Sequence, residues 1–228
     1  MLIGIIFARG GSKGIPKKNI RMLGDMTLLE RSIETLAGAE IVDKIYVSSD
    51  NDEILELAIS SHVHPIVRPK ALATDESPEF LSWKHAVDYI ETDVGIGQFT
   101  FVSTPTTCPF RTEEDIKSVI ATQRLHQNGI SLGIVPAARN PHFNQMRKNI
   151  DGTLRVVMPL HGSGMRRQDF PIYWDVTTCA YCCDSNIIKS HSAIDEIPLY
   201  GAEVSEFCRF DLDTEEDWNI AEALQKGM

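Results

Sequence analysis

The first apolar run of the chain ends in a glycine-rich loop, and this junction constrains the fold more than any other feature. Residues 2–7, LIGIIF, predict a buried strand of a parallel sheet. Residues 8–19, ARGGSKGIPKKN, follow directly. Glycine permits the positive φ angles that turn backbone N–H groups into a pocket. The sequence therefore predicts an α/β fold with a ligand loop at the end of its first strand.

Cations are concentrated in the same loop. Four lie within it and a fifth follows, namely Arg9, Lys13, Lys17, Lys18 and Arg21. Such a set suits an anion with several oxygens, most simply a triphosphate. The spacing matches neither a P-loop nor the dinucleotide fingerprint G-x-G-x-x-G. The alternative is an exposed turn with solvated lysines, but glycines and cations together at a strand end favour an anion site.

The overall charge limits what this loop can bind. With 228 residues, 43% of them hydrophobic and 24% charged, the chain is long enough for one α/β domain and a small extension. Its formal net charge of −10 argues against a nucleic-acid partner. The cationic loop is thus a local positive site on an acidic protein, which suits a small anion.

The sequence predicts neither a membrane span nor a secretory signal. No stretch approaches the roughly 18 apolar residues that a span requires, and residues 1–8 lack a basic leader and a cleavage site. We therefore expect a cytoplasmic protein. The odd number of cysteines, five, indicates reduced thiols. Cys179 and Cys182 have the spacing of half a zinc site, but the second ligand pair is missing, so buried structural cysteines are favoured.

Strands and helices alternate along the first 136 residues. Further strands are predicted at residues 44–48, 65–67, 99–102 and 131–136. Helices are predicted after the capping box Thr27–Glu30, from a cap at Asp50 to about residue 60, at about 80–92, and after a capped start at Thr112–Asp115. Residues from about 138 to 173 alternate short apolar pairs with polar residues and glycine, which predicts a β-rich arm leaving the main sheet.

An acidic pair lies near the end of the chain. On a strand, Asp211 and Asp213 would point the same way, with Cα atoms roughly 6.6–6.8 Å apart. Like charges on one face repel unless a cation lies between them, and carboxylates together with triphosphate oxygens are usual ligands of Mg²⁺. The alternative is acidic capping of a terminal helix, which explains Glu215, Glu216 and Asp217 better than it explains Asp211.

These motifs carry a resemblance to a known family. Residues 8–20 resemble the N-terminal signature of the acylneuraminate cytidylyltransferases, the CMP-sialic acid synthetase family, and residues 210–217 resemble its Asp-x-Asp-Thr-x-x-Asp motif. Residues 68–75 resemble Arg-Pro-x-x-Leu-Ala-x-Asp, and 140–144 resemble the Asn-Pro-Tyr-Phe-Asn run of the legionaminic-type branch. The resemblance therefore spans nearly the whole chain, with its motifs in family order.

Three further segments resemble the family but depart from it or are less specific. Residues 103–112 resemble Gln-Pro-Thr-Ser-Pro-Leu-Arg-Thr without the glutamine, and residues 166–169 resemble the Arg-Gln-x-x-Pro region. Residues 175–181 occupy the place of the Asn-Gly/Ala-x-x-Tyr strand, with Thr177 where asparagine is usual. The departures hint at a sugar pocket unlike that of the common sialic acid enzymes. The arginine pair at 166–167 suits a carboxylate or phosphate, and a solvated basic pair is its alternative.

The resemblance implies a fold, a reaction and partners. The fold is α/β, a Rossmann-like three-layer nucleotidyltransferase fold with a mixed, mainly parallel sheet. It forms a single domain over 1–228, with 138–175 inserted as a small protruding dimerisation and lid arm. The reaction joins CTP and a 2-keto-3-deoxy sugar acid to give a CMP-sugar and pyrophosphate. A homodimer or tetramer is expected, with neither nucleic acid nor membrane as a partner.

The resemblance also implies roles for individual residues. Catalytic roles fall to Arg9, Lys13, Lys18 and Asp211. Nucleotide binding falls to Ala8, Arg9, Gly10, Ser12, Lys13, Lys18, Asn19, Arg68 and Asp75. Substrate binding falls to Thr104, Thr106, Arg166, Arg167, Gln168 and Tyr181. The metal, Mg²⁺ or Mn²⁺, falls to Asp211 and Asp213.

Alternatives to these assignments remain at this stage. Arg68 and Asp75 could instead pair with each other on a surface loop. The protein as a whole could be a sugar-1-phosphate nucleotidyltransferase that uses another nucleoside triphosphate, or a non-catalytic nucleotide-binding dimer. No histidine lies in the loop at residues 8–19 or in the segment of the acidic pair, so no side-chain general base is assigned.

Overall fold

The computed structural model describes residues 1–159 and 171–227, which fold into a layered α/β structure. The strands are β1 (Leu2–Phe7), β2 (Met22–Leu23), β3 (Met26–Thr27), β4 (Lys44–Ser49), β5 (His64–Val67), β6 (Thr100–Ser103), β7 (Ile130–Pro136), β8 (Met146–Lys148), β9 (Leu154–Val156), β10 (Trp174–Asp184) and β11 (Leu199–Glu203). The α-helices are α1 (Leu28–Gly38), α2 (Asp52–Ser60), α3 (Glu79–Val94), α4 (Glu113–Leu125), α5 (Ser185–Ser190) and α6 (Glu215–Gly227).

The main sheet has seven strands in the described part of the chain, in the order β11-β7-β10-β6-β1-β4-β5. Strand β10 is antiparallel to both of its neighbours, and the other pairs are parallel. The predicted mixed, mainly parallel sheet is confirmed. The carboxyl ends of β1, β4, β5 and β6 lie along one edge, which is where open α/β sheets bind ligands.

Alternation along the central strand places helices on both faces of the sheet. Successive strand side chains point to opposite faces. Ile3 and Ile5 of β1 therefore belong to a buried cluster with Trp83 of α3, whereas Leu2 and Ile6 belong to a second cluster with residues of α1, α2 and α4. The three-layer architecture predicted from the sequence is confirmed.

Two predicted helix caps are confirmed and one is wrong. Thr27 forms a capping box with Glu30 at the start of α1, and Thr112 forms one with Asp115 at the start of α4. Helix α2 is capped by Asn51, whose Oδ1 accepts a hydrogen bond from the backbone N–H of Ile54 at 3.1 Å, and not by Asp50. The Asp50 carboxylate is engaged elsewhere, because it accepts the backbone N–H of Gly10 at 3.0 Å.

The end of the chain departs from the sequence-based prediction. Strand β11, which pairs in parallel with β7, was not predicted. Conversely, Asp211 and Asp213 do not lie on a strand. They lie in an irregular connection between the 3-10 helix Glu206–Arg209 and α6. A single backbone hydrogen bond, from Leu212 N to Thr107 O at 2.9 Å, attaches this connection to the loop after β6, so no ladder forms.

The predicted arm contains its own small sheet. Strands β8 and β9 form a two-stranded antiparallel sheet that is separate from the main sheet. At the base of the arm, Asp175 accepts hydrogen bonds from Ala138 N at 3.1 Å and from Arg209 at 2.9 Å. Arg209 also donates to the carbonyl of Pro136 at 2.7 Å. Both ends of the arm are therefore attached to the segment that leads into Asp211.

Two further expectations concern cysteines and membranes. All five cysteines are buried and free, as predicted. Among residues 1–159 and 171–227, no helix combines the length and apolar character needed to cross a membrane.

Candidate active site

A cleft of about 330 Å³ opens at the carboxyl edge of the sheet. The loops that follow β1, β5 and β6 form three of its sides, and β10 forms the fourth. The side chains on these elements that can meet a ligand through a polar group are Arg9, Lys18, Asn19, Arg68, Thr74, Asp75, Ser77, Glu79, Ser82, Thr106, Thr107, Thr178 and Tyr181. The cleft therefore collects hydroxyls, cations and carboxylates from segments far apart in the sequence.

The glycine-rich loop is held from behind, which decides which of its groups face the cleft. The backbone N–H of Ala8 donates to Ser48 O at 3.1 Å, and that of Gly10 donates to Asp50, so neither amide is free. A Cβ at Gly10 would lie 2.7 Å from Cβ of Asn51, because the loop packs closely on the start of α2. The backbone amides of Ala8 and Gly10 are therefore not among those that the loop can offer to a ligand.

Lys18 joins the glycine-rich loop to the acidic pair. Its ammonium donates to the carbonyl of Leu212 at 2.6 Å and lies 3.7 Å from the carboxylate of Asp213. Burial lowers the pKa of Lys18, and the charges of Asp213 and Asp211 oppose that shift. Gly14 lies so close to the same segment that a Cβ there would be 2.0 Å from the carbonyl oxygen of Asp213. The first and last motifs of the chain therefore meet.

Not every cation of the loop faces the cleft. Lys17 has a left-handed backbone (φ 53°), and its ammonium pairs with Glu53 of α2 at 2.8 Å on the protein surface. Arg21 pairs with Glu215 at 2.8 Å. Arg9 and Lys18 line the cleft, so the cationic patch that a ligand meets is smaller than the sequence indicates.

The acidic pair is asymmetric. Asp211 is partly buried, whereas 70% of the Asp213 side chain is exposed. Burial raises the pKa of Asp211, and the charge of Asp213 raises it further. Hydrogen bonds from Thr107 and Thr178 and the charge of Lys18 oppose this rise. Thr178 Oγ1 donates to Asp211 Oδ1 at 3.1 Å.

The donor set at the acidic pair fits a hard divalent cation that completes its coordination with phosphate. Mg²⁺ is usually bound by one or two carboxylates plus substrate phosphate oxygens, and not by a cage of protein ligands. The described residues contain no group of three or more histidine, cysteine, aspartate or glutamate side chains arranged for a metal. Asp211 and Asp213, two carboxylates beside a cationic cleft, match the arrangement in which phosphate oxygens supply the remaining ligands.

Arg68 is buried and keeps one donor without a partner. Its Nη1 donates to Ser82 Oγ at 3.3 Å and its Nη2 to Ser48 O at 3.2 Å, while Nε has no hydrogen-bond partner among the described residues. Burial lowers the pKa of Arg68, and nearby carboxylates oppose this. Since a buried donor without an acceptor is costly, this Nε is a candidate donor to a ligand in the cleft.

Asp75 pairs with the cations of the glycine-rich loop and not with Arg68. Its carboxylate lies 2.7 Å from Arg9 Nη1 and 2.5 Å from Lys13 Nζ. Hydrogen bonds from Lys13 and Arg9 lower its pKa. The alternative in which Arg68 and Asp75 pair on the surface is therefore wrong. The carboxylate of Asp75 is thus paired with two of the cations that were predicted to bind phosphate.

The remaining predicted residues occupy different depths. Asn19 is buried, donates to Arg9 O at 2.9 Å and accepts from Thr106 Oγ1 at 2.6 Å, so it links two walls of the cleft. Tyr181 lines the cleft, and burial raises its pKa to about 12. Thr104 is fully buried, and its hydroxyl has no partner among the described residues. It does not line the cleft.

Three of the predicted site residues lie outside the described part of the chain, and four residues that line the cleft were not predicted from the sequence. Arg166, Arg167 and Gln168 lie outside the described residues. The sequence did not single out Thr107, Thr178, Ser82 or Glu79, which line the cleft. Thr107 and Thr178 each lie inside a segment that resembles a family motif, so their position was a usable signal. Ser82 and Glu79 lie in the first turn of α3, where only the fold brings them to Arg68 and Tyr181.

The fold and the cleft together define a class of protein. It is an α/β protein with a cleft at the edge of its sheet that is lined by a cationic loop and a buried arginine, and the carboxylates of Asp211 and Asp213 lie beside that cleft, next to Thr178 and Lys18. Among solved structures, CMP:2-keto-3-deoxy-manno-octonic acid synthetase complexed with CTP superposes with a TM-score of 0.70 at 12% identity, covering 99% of this chain and 98% of that chain. A 4-diphosphocytidyl-2C-methyl-D-erythritol synthase gives 0.67 at 13% identity, covering 97% and 96%. Both show the same fold.

Sequence comparison narrows the class to a family. A cytidylyltransferase family model matches residues 3–137. The chain is 29% identical to the post-translational flagellin modification protein B of Campylobacter coli, covering 97% of this chain and 93% of that protein. It is 28% identical to the CMP-N,N'-diacetyllegionaminic acid synthase of Campylobacter jejuni, covering 96% and 92%. This chain belongs to the cytidylyltransferase family and is a nucleotidyltransferase, which confirms the resemblance seen in its motifs.

Proposed function

We propose that this protein transfers CMP from CTP to a 2-keto-3-deoxy sugar acid of the nonulosonic type, releasing pyrophosphate. Relatives that align along nearly the whole chain support the acceptor class, because one of them is named as a CMP-N,N'-diacetyllegionaminic acid synthase. The observation that carries the proposal is the contact of Lys18 with Leu212 and Asp213. It brings the cationic loop and the acidic pair to one site.

The proposed chemistry is in-line attack of the anomeric hydroxyl on the α-phosphorus of CTP. Phosphoryl and nucleotidyl transfer need little covalent work from the protein, so catalysis comes from positioning and from stabilising charge. Arg9, Lys13 and Lys18 would balance the charge that develops on the leaving pyrophosphate. We assign no side-chain general base, because no histidine lines the described part of the cleft and its two carboxylates, Asp75 and Glu79, already have partners.

The nucleoside would be held by the buried walls of the cleft. Arg68 offers its Nε, and Asn19 fixes the relative position of the Arg9 backbone and Thr106. Ala8, Gly10 and Ser12 would shape the loop around the phosphates. In this proposal Asp75 occupies Arg9 and Lys13 until phosphate oxygens replace it.

The acidic pair would hold Mg²⁺ or Mn²⁺ through Asp211 and Asp213. Such a cation neutralises phosphate charge and can lower the pKa of a bound hydroxyl. On the protein side, Thr107 and Thr178 hydrogen-bond to Asp211 and Lys18 carries a compensating positive charge. The sugar acid would meet Tyr181 and Thr106, with its carboxylate paired to Arg166 or Arg167 and Gln168 beside it.

The arm would bind a second copy of the chain. Several large apolar side chains within or beside it are exposed, namely Met146, Ile150, Leu154, Val157, Met158, Ile172, Trp174 and Val176. Exposed apolar groups clustered on a small extension are typical of an interaction surface. We propose a homodimer, or a tetramer built from it, and sedimentation velocity at micromolar concentration checks this. We propose a cytoplasmic location, which the use of CTP and the free cysteines support.

The function is tested by supplying CTP with a panel of nonulosonic and octulosonic acids and measuring pyrophosphate release. The expected result is a CMP-sugar, identified by mass spectrometry, with at least one acid of the panel. Asp211→Asn should reduce the rate to background, because carboxylates that hold the metal are required. The exposed carboxylate Asp195, distant in sequence from every motif, provides the matched control Asp195→Asn, which should keep the wild-type rate.

Other outcomes would redirect the assignment. Release of pyrophosphate with a sugar 1-phosphate and UTP or GTP, but with none of the keto acids, would indicate a sugar-1-phosphate nucleotidyltransferase. Equal background rates for the wild type and Asp211→Asn with every acceptor, despite measurable CTP binding, would indicate a nucleotide-binding protein without catalysis.

A further inference from the structure

The pairing of strand β10 with β7 is interrupted beside the cleft. Its register with β7 shifts between Val176, which pairs with Ile134, and Tyr181, which pairs with Leu132. Residues 177–180 therefore lie opposite Gly133 alone. A bulge of this kind adds residues to one strand and re-aims a side chain. Here it lies where the strand passes the acidic pair.

The bulge is fixed by two neighbouring residues. Thr177 is buried, and its hydroxyl donates to Gly133 O at 3.0 Å, so the inner side of the bulge is tied to β7. A Cβ on Gly133 would lie 2.7 Å from Thr177 Oγ1 and 3.0 Å from Cβ of Cys179. A side chain at position 133 would thus collide with the bulge, and glycine leaves the space that the bulge fills.

The outer side of the bulge carries Thr178, which faces the cleft. Thr178 lines the cleft, and its Oγ1 donates to Asp211 Oδ1 at 3.1 Å. Thr107 also hydrogen-bonds to the Asp211 side chain, from the loop after β6. The carbonyl oxygen of Thr107, in the same loop, accepts a hydrogen bond from the backbone N–H of Leu212. Asp211 has no strand neighbour of its own, so these contacts orient its carboxylate.

From this arrangement we propose that Thr178 is a positioning residue: its hydroxyl, aimed by the bulge over Gly133, holds Asp211 in the orientation that binds the divalent cation. The inference rests on the metal role of Asp211 in the proposed function. Groups that hydrogen-bond to a ligating carboxylate fix its direction, and their loss typically weakens metal binding or activity by about 10- to 100-fold.

The test measures how much the metal improves CTP binding, in the absence of sugar acid so that no reaction occurs. Calorimetric titration of CTP into the full chain is carried out once in EDTA and once in saturating Mn²⁺. The ratio of the two dissociation constants is the metal-dependent gain. We expect Thr178→Val to reduce this gain about 10-fold, because valine keeps the shape of threonine and removes only the hydroxyl. Thr178 also lines the cleft, and a change in CTP binding that does not involve the metal cancels in the ratio.

Two variants separate positioning from packing. Thr178→Ser keeps the hydroxyl and should keep the gain within about two-fold of the wild type, given that serine can make the same hydrogen bond. In an Asp211→Ala background, Thr178→Val should have no further effect, since double-mutant cycles detect coupling between residues in contact. Thr178→Ala replaces Thr178→Val if the valine variant unfolds at a lower temperature than the wild type.

Each contrary outcome has a distinct meaning. A wild-type gain in both Thr178→Val and Thr178→Ala, with the gain lost in Asp211→Ala, would overturn the inference and leave the metal pair in place. An equal loss of the gain in the serine and valine variants would also overturn it. A wild-type gain in Asp211→Ala would overturn the metal assignment of the proposed function, and the inference with it.

Discussion

The Lys18 ammonium donates a hydrogen bond to the backbone carbonyl of Leu212, 194 residues further along the chain, at an Nζ–O distance of 2.6 Å. Because the ammonium also lies near both Asp211 and Asp213, it is part of the predicted phosphate site and of the predicted metal site. It can balance phosphate charge and also hold the segment that carries the acidic pair.

Replacing Lys18 should therefore damage catalysis more than nucleotide binding. We expect Lys18→Gln to lower kcat by about 100-fold, the usual loss when one group that stabilises developing charge is removed. Pyrophosphate release under saturating CTP measures it. The surface lysine Lys117, which pairs with Glu114 across one helical turn, gives the control Lys117→Gln, whose kcat should match the wild type. A kcat for Lys18→Gln within two-fold of the wild type would contradict the role.

Arg68 should act on affinity for CTP. Arg68→Lys keeps a positive charge but loses the fork that reaches Ser82, Ser48 and the cleft. A hydrogen bond to a charged group contributes about 1.5–3 kcal/mol, so we expect the KM for CTP to rise about 10-fold or more with kcat changed far less. Initial rates over a CTP series measure this. A fall in kcat at unchanged KM would show instead that Arg68 acts on the reacting groups.

Asp75 should compete with the phosphates for Arg9 and Lys13. Its pKa is lowered by hydrogen bonds from Lys13 and Arg9, so the carboxylate is ionised throughout the neutral range. Its contribution to the loop is present above the unfolded pKa and is lost only as the pH falls through the lowered folded pKa. We expect Asp75→Asn to tighten inhibition by pyrophosphate modestly at neutral pH, and less so at high salt. Weaker inhibition would indicate that Asp75 binds the nucleotide directly.

Asp211→Asn should stabilise the metal-free protein at neutral pH although it removes activity. Burial raises the pKa of Asp211, so its folded pKa exceeds the unfolded value. Its contribution to stability is present below the unfolded pKa and is lost as the pH rises through the folded pKa. Asparagine does not ionise. We therefore expect a higher Tm for the variant near pH 7 in EDTA, and no difference near pH 4. A lower Tm at both pH values would contradict this.

Helix α4 should depend on its cap. The Thr112 hydroxyl accepts the backbone N–H of Asp115 at 3.3 Å, and Asp115 also accepts Ser205 N at 2.7 Å. We expect Thr112→Ala to lower the free energy of unfolding by about 1 kcal/mol, measured by urea denaturation. On the same helix, Thr122 only donates back to Ser118 O. Thr122→Ala should therefore change the free energy of unfolding by less than about 0.5 kcal/mol.

Local patterns predicted the fold well because its signals lie close together in the sequence. The capping boxes at Thr27 and Thr112 need a partner only three residues away, and the strands of the first half are short apolar runs. Asp50 shows the limit of such reasoning. Both Asp50 and Asn51 are residue types that can cap α2. The choice between them depends on Gly10, whose backbone N–H donates to the Asp50 carboxylate.

The site was predicted in its parts but not in its pairings. The sequence indicated the cations, Asp75 and the acidic pair, whereas the partner of Asp75 depends on how two loops meet. Thr178 was missed because its role requires the bulge over Gly133, and a register shift between strands distant in sequence leaves no local pattern. The irregular path of residues 211–213 likewise depends on tertiary contacts, with Lys18, Thr107 and Thr178.

The approach of Gly14 to the carbonyl oxygen of Asp213 has a consequence for biosynthesis. During translation the glycine-rich loop is made first, and the segment that contacts it follows about 200 residues later by the numbering of the two positions. A nascent chain therefore cannot complete the proposed nucleotide site until the segment around Asp213 has emerged. In the folded protein, a ligand that binds both segments stabilises the contact between Gly14 and Asp213 by mass action.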